Sequence, residues 1–208
     1  MEWLSTLSLA VGSAWTSGIN LYATVFILGI FQKVGWARLP GGLEVLDNWW
    51  IIGIAAGLYL IEFVADKVPL VDSVWDVVHT FIRVPAGAIL AYAAVAGYND
   101  PSISVAAFLL GGGVALSSHG TKTAVRAFAN LSPEPVSNWI LSIVEDIVAI
   151  GGSILAVFAP VLLGFVVAVF LVVFFWLFPK ILRAFNKVLA NVKAFFGRKE
   201  SFAGRKIQ

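Results

Sequence analysis

Long apolar stretches follow one another along almost the whole chain, and polar residues break them at a few places only. The first runs from Leu7 to Phe31, about the roughly 20 residues that a bilayer core requires. Thr16, Ser17, Gly18 and Asn20 interrupt it, and Thr16, Asn20 and Thr24 advance by four each time, so they share a helix face. After the loop GWARLPGGLEVLDN, Trp49 and Trp50 open a second span as interfacial anchors, and that span ends at Asp66. The fifth stretch is Trp139 to Phe158, and the sixth, Leu162 to Phe178, is the most lipid-like. The pattern predicts an all-α, polytopic membrane protein of about six transmembrane helices.

The third and fourth stretches carry the chemistry. The uninterrupted apolar part from Val84 to Gly97 is fourteen residues, as is Ile103 to Leu116. At about 1.5 Å per residue neither crosses a core of roughly 30 Å, so the polar residues beside each must enter the membrane. Beside the third, Asp72, Asp76, His79 and Arg83 fall within about 40° of one line on a helix. Just upstream, Glu62 and Asp66 are i, i+4 neighbours, and Lys67, Val68 and Pro69 end their helix. Beside the fourth, His119, Lys122 and Arg126 share a face at i, i+3 and i+7. The fifth span holds adjacent carboxylates, Glu145 and Asp146.

Composition sharpens this. Charged residues are 12% of the chain, about half the roughly 25% of soluble proteins, and mean hydropathy is +0.91. There is no cysteine, which excludes disulfides and thiolate metal sites. The start, MEWLSTLSLAVG, has Glu2 and no basic region, so it reads as the beginning of the first span and not as a cleaved signal. Residues 1–179, the transmembrane domain, hold six Lys/Arg against eleven Asp/Glu; residues 180–208 hold eight against one. The tail KILRAFNKVLANVKAFFGRKE alternates basic with apolar residues, as an amphipathic helix on an anionic inner leaflet does. By the positive-inside rule it is cytosolic, and six spans put both termini in the cytoplasm of an inner (plasma) membrane protein. No nucleic-acid fold accompanies the tail, so its charge is read as topology and lipid anchoring.

The path through six spans brings Glu62, Asp66, the Asp72–Arg83 stripe, the His119–Arg126 stripe and Glu145 with Asp146 to similar depth. That set holds six acids, four bases (Lys67, Arg83, Lys122, Arg126) and both histidines. An ungapped internal match sets AVGSAWTSGINLYATVF (10–26) on GGGVALSSHGTKTAVRA (111–127), pairing Gly12 with Gly113, Ala14 with Ala115, Ser17 with Ser118 and Ala23 with Ala124. With three spans per half, the copies run in opposite directions. Such 3+3 inverted repeats with interrupted helices belong to secondary transporters.

SGINLYATVFILG and EFVADKVPLVDSVWDVVHTFIRVPAGAILA resemble the bacterial and plant membrane proteins catalogued as domain of unknown function four-one-two-six. The resemblance covers roughly residues 10–178 and stops short of the basic tail. It implies a compact multi-pass membrane domain and leaves the function to the residues.

Those residues support several functions. The leading one is a small transporter or channel that moves an ion or small polar solute, with a cation favoured by the acidic excess and protons coupled through His79, His119 and the carboxylates. Its pathway residues are Asn20, Glu62, Asp66, Asp72, Asp76, His79, Arg83, Ser118, His119, Lys122, Arg126, Glu145 and Asp146. A divalent cation could be ligated among Asp72, Asp76, His79, Glu145 and Asp146, oxygen and nitrogen donors that suit hard or borderline metals, although the spacing alone is a weak signature. A second function is a lipid-phosphate translocase or metal-dependent intramembrane enzyme with Arg83, Lys122 and Arg126 on the headgroup; no phosphotransferase motif accompanies it. A third is a membrane scaffold in which the charges are mutual ion pairs. The bland counterparts are a solvated amphipathic helix for Asp72–Arg83, ion pairing to Lys122 or Arg126 for Glu145 and Asp146, helix-packing hydrogen bonds for the histidines, and interhelical packing for Asn20. A homo-oligomer suits spans this short.

Overall fold

The computed structural model describes residues 2–68, 71–130 and 135–204, and among them there are helices and loops with no strand. The helices are α1 (Glu2–Ile19), α2 (Leu21–Lys33), α3 (Trp49–Ala65), α4 (Val71–Val95), α5 (Pro101–Ala129), α6 (Pro135–Phe158) and α7 (Pro160–Gly204), with 3-10 turns at Gly41–Asp47 and Ala96–Tyr98. Among the described residues, four segments are long and apolar enough to cross a membrane: Val71–Tyr98, Pro101–Ala129, Val136–Phe158 and Pro160–Ile181. A fifth crossing exists if Gly41–Asp47 and α3, bent by 75°, form one span. The first apolar stretch is not one helix, because it breaks at Asn20.

Residues 1–168 form one compact unit and residues 169–208 another. At the centre of the first, α1 packs against α4, α5 and α6. Its inner surface is made of small residues: Ser8, Ala10, Gly12, Ser13, Ala14, Thr16, Ser17 and Gly18 are all buried. Ser13, Thr16 and Ser17 return their hydroxyls to carbonyls of their own helix, so these three donors are met within α1. Close approach follows. A Cβ on Gly18 would run into Ser118 Oγ and the Ala115 carbonyl of α5, and one on Gly111 would lie 2.9 Å from the Gly87 carbonyl of α4.

The break between α1 and α2 has a local cause. Asn20 takes an extended conformation (φ −146°, ψ 101°) and its side-chain oxygen accepts from Ala23 N at 2.9 Å, capping α2. This alters the shared face expected of Thr16, Asn20 and Thr24: Asn20 stands outside both helices, while Thr16 and Thr24 bond back to the carbonyls of Gly12 and Asn20. Asn48 and Asp100 cap α3 and α5 in the same way, the latter ahead of Pro101 at the first helical position.

In the second unit α7 continues as a helix through Pro179 to Gly204. Phe170, Phe174 and Phe178 stack one turn apart, and Lys180 Nζ lies 3.0 Å from the centre of the Trp176 ring. The expected amphipathic pattern of Leu182 and of the side chains from Phe185 onward, like the helix-ending role of Pro69, lies outside the described residues.

Candidate functional site

The charged residues that sequence spacing puts on four helices meet in one buried network. Glu62 and Asp66 come from the end of α3, where Ala65 is the last helical residue and Asp66 the C-cap. Asp72, Asp76, His79 and Arg83 line one face of α4; all four are buried, which replaces the solvated amphipathic helix as their setting. His119, Lys122 and Arg126 come from α5, and Glu145 and Asp146 from α6.

Lys122 is the hub. Its Nζ lies 3.0 Å from Asp66, 3.3 Å from Glu62, 3.4 Å from Glu145 and 3.8 Å from Asp76, and it also donates to the carbonyl of Ile19, the last residue of α1, at 3.3 Å. Arg83 donates to Glu62 at 2.5 Å and to Asp76 at 3.3 Å. Arg126 is forked onto Glu145 and reaches Asp66 at 3.1 Å and Asp72 at 3.4 Å. Each cation is thus shared among acids, and the acids outnumber them. Among the described residues, five carboxylates pair with three buried cations, and Asp146 beside them brings the acids to six.

The surplus shows as orphaned atoms. Glu62 Oε2, Asp66 Oδ1, Asp76 Oδ2 and Asp146 Oδ2 are buried without a hydrogen-bond partner among the described residues. Asp146 is the extreme case: Asn20 Nδ2 donates to its Oδ1 at 3.1 Å, and no ion pair reaches it among the described residues. Its pairing to Lys122 or Arg126 is therefore not realised, whereas that of Glu145 is. Asn20 thus joins the broken helix to the acid cluster, with one end of its amide capping α2 and the other holding Asp146.

Lys67 belongs to the edge of the network and not to its interior. It is half-buried, its Nζ donating to Phe63 O at 2.9 Å and Ser142 Oγ at 3.2 Å and standing over the Phe63 ring. Burial pulls its ammonium below the ordinary lysine value, against the opposing pull of Asp146 and Asp66.

Both histidines have two engaged ring nitrogens. Arg83 donates to His119 Nδ1 at 3.1 Å, so Nε2 carries the proton toward the Asp76 carbonyl at 3.1 Å and Thr80 Oγ1 at 2.8 Å. His79 Nδ1 donates to the Trp75 carbonyl at 2.7 Å, its Nε2 accepts from Tyr22 at 2.9 Å, and its ring stacks on Trp75 at 4.3 Å. His79 therefore sits beside the charge network, joined to it through α4. Ser118 is further removed: its hydroxyl bonds to the Val114 and Ala115 carbonyls, and it packs against Gly18.

The metal candidates do not converge. Among the described residues no group of three or more His, Asp or Glu is arranged to hold a metal ion. Polar residues outside the charged stripes join the network as well. Asn130 donates to both oxygens of Asp72 at 3.2 and 3.0 Å, Asn138 donates to Asn130 at 2.8 Å, and Ser142 receives Lys67. The signal was available: Asn130 extends the His119–Lys122–Arg126 face by one turn, and Asn138, Ser142 and Asp146 advance by four along α6.

The family described as Domain of unknown function (DUF4126) matches over residues 7–180, and the chain belongs to that family. No curated protein and no solved structure matches it.

Proposed function

We propose that this member of the family is a small membrane carrier or channel for a cation, working through the buried acid network beside the helix break. The observation that carries the reading is the charge imbalance: six carboxylates against three buried cations, with four buried carboxylate oxygens unpartnered. Burying an uncompensated charge is costly enough that each surplus carboxylate must take up a proton or a mobile cation. The break at Asn20 adds the second ingredient, since interrupted helices with free backbone ends line the sites of many transporters.

The same reading takes α1 and α2 as one broken crossing, which brings the count to six in two inverted halves. Support comes from the packing of the two matched segments on each other: Gly18, next to Ser17, abuts Ala115 and Ser118, the partners of Ala14 and Ser17 in the internal match. The basic tail then lies on the cytoplasmic, anionic leaflet of an inner membrane. A lipid-phosphate reading has less support, because Arg83, Lys122 and Arg126 are all committed to carboxylates.

The test is current from proteoliposomes on a solid-supported membrane, driven by gradients of Li+, Na+, K+, Mg2+ or H+. Wild type is expected to pass at least one of these ions, and Asp76→Asn and Glu145→Gln to reduce the current at least tenfold while remaining folded. No current for any ion in wild type overturns the reading, and undiminished current in both variants removes the assigned site.

A further inference from the structure

Beyond the network, the structure holds a cavity of about 360 Å3 between α3 and α6, within the size range of small-molecule sites. Its walls are apolar, with the rings of Tyr59 and Phe63 on α3 and Ile147, Ile150 and Gly151 on α6. Ile147 is 65% exposed, so the cavity opens sideways onto surface that the hydropathy of these helices assigns to lipid. One charged residue lines it: Asp146, 7% exposed, whose Oδ2 has no hydrogen-bond partner among the described residues. Asn20 occupies only the other oxygen.

We propose that this cavity is a lateral binding site for a lipophilic organic cation, a ligand with an apolar body and one positive charge, entering from the bilayer. The body fits the isoleucine wall, and the charge offsets the one network carboxylate left without an ion pair among the described residues. Aromatic faces suit a cation as well, and Phe63 already carries one: Lys67 folds back so that its Nζ stands over that ring. Lys67, just past the end of α3, is tied to Ser142 and the Phe63 carbonyl, forming no ion pair among the described residues. An anionic amphiphile is disfavoured by Asp146 itself and by the acid surplus behind it. The site does not depend on the carrier reading, since an ammonium or phosphonium ion can bind Asp146 whether or not the network conducts.

Equilibrium binding of tritiated tetraphenylphosphonium to the full-length protein in nanodiscs tests the site with no ion gradient, so a failure to transport does not affect the outcome. Saturable binding above empty nanodiscs is expected in wild type, at least tenfold weaker in Asp146→Asn. Gly151→Phe supplies an independent arm. Gly151 lines the cavity and nothing lies within 4 Å of a Cβ built there, so a bulky side chain begins in open space at the cavity wall. That variant should keep the wild-type melting temperature and lose binding by a similar factor. Absence of saturable binding in wild type overturns the proposal. So does binding that survives Gly151→Phe, or equal binding of tetraphenylborate, which has the same shape and the opposite charge. If Asp146→Asn fails to fold, the Gly151→Phe and tetraphenylborate results decide.

Discussion

Replacing Lys122 by Met removes the cation on which the network turns while keeping most of its length and apolar volume. Its ammonium lies between 3.0 and 3.8 Å from four carboxylates, on α3, α4 and α6. At an effective dielectric constant of about 20, each contact at that range is worth roughly 4–6 kcal/mol of gross Coulomb energy. Most of that total is offset by the cost of dehydrating the ammonium and by repulsion among the acids. The loss of one partner from a buried pair typically costs about 3–5 kcal/mol, and that is the expected destabilisation. Adding Asp66→Asn should recover part of it: the amide oxygen can still accept from Arg126, 3.1 Å away, while one negative charge disappears. A coupling of about 1–3 kcal/mol is expected between the two changes. Reversible unfolding in mixed micelles reads all three variants. If Lys122→Met falls within about 1 kcal/mol of wild type, the acids are already neutral without it, and the case for a compensating cation fails.

Asn20→Ala should cost about 1–2 kcal/mol for the lost cap of α2. Asn20→Asp keeps the cap oxygen but loses the donor to Asp146, so comparing the two by melting temperature separates the roles. Gly18→Leu should fail to give a folded, monodisperse protein on size-exclusion chromatography, because Ala115 and Ser118 occupy its space; Gly113→Leu, with nothing within 4 Å, should behave as wild type. If a cation offsets the acid surplus, its presence at about 100 times its dissociation constant should stabilise the fold by about 2.7 kcal/mol. Melting temperatures in Li+, Na+, K+ and N-methylglucamine at constant ionic strength identify the ion, and a melting temperature insensitive to both cation and pH refutes the idea.

The two charged stripes were legible because burial on a helix leaves a periodic trace. Asp72, Asp76, His79 and Arg83 had to share a face, and their apolar neighbours were too few to cross a bilayer alone. That argument fixes the direction of each stripe about its own axis and nothing about the partner opposite. Which carboxylate meets Lys122 depends on how closely α1, α4 and α5 approach, and that distance is set by Gly18, Gly87 and Gly111, residues that give no chemical signal of their own. The break at Asn20 shows the same limit from the other side. Thr16, Asn20 and Thr24 fit a continuous helical face as well as an interrupted one, and periodicity does not show that Asn20 caps α2 with its oxygen while its Nδ2 reaches Asp146, 126 residues away.

The acid surplus was visible in the sequence as six against four, and folding widened it. Lys67 is counted among the bases because it follows Asp66, yet α3 ends at Ala65 and the lysine leaves the helix for the edge of the network, where it bonds to a serine and a backbone carbonyl. One turn of helix therefore decides whether the interior lacks two positive charges or three. Proximity in sequence is no measure of neutralisation here: Asp146 follows Glu145 directly, but Arg126 takes Glu145 while Asp146, 100° further around α6, faces Asn20 and the lateral cavity. A scaffold held by mutual ion pairs has no need of such an unpaired acid. A site that exchanges cations does, because a carboxylate already matched by a fixed charge has little affinity left for a mobile one.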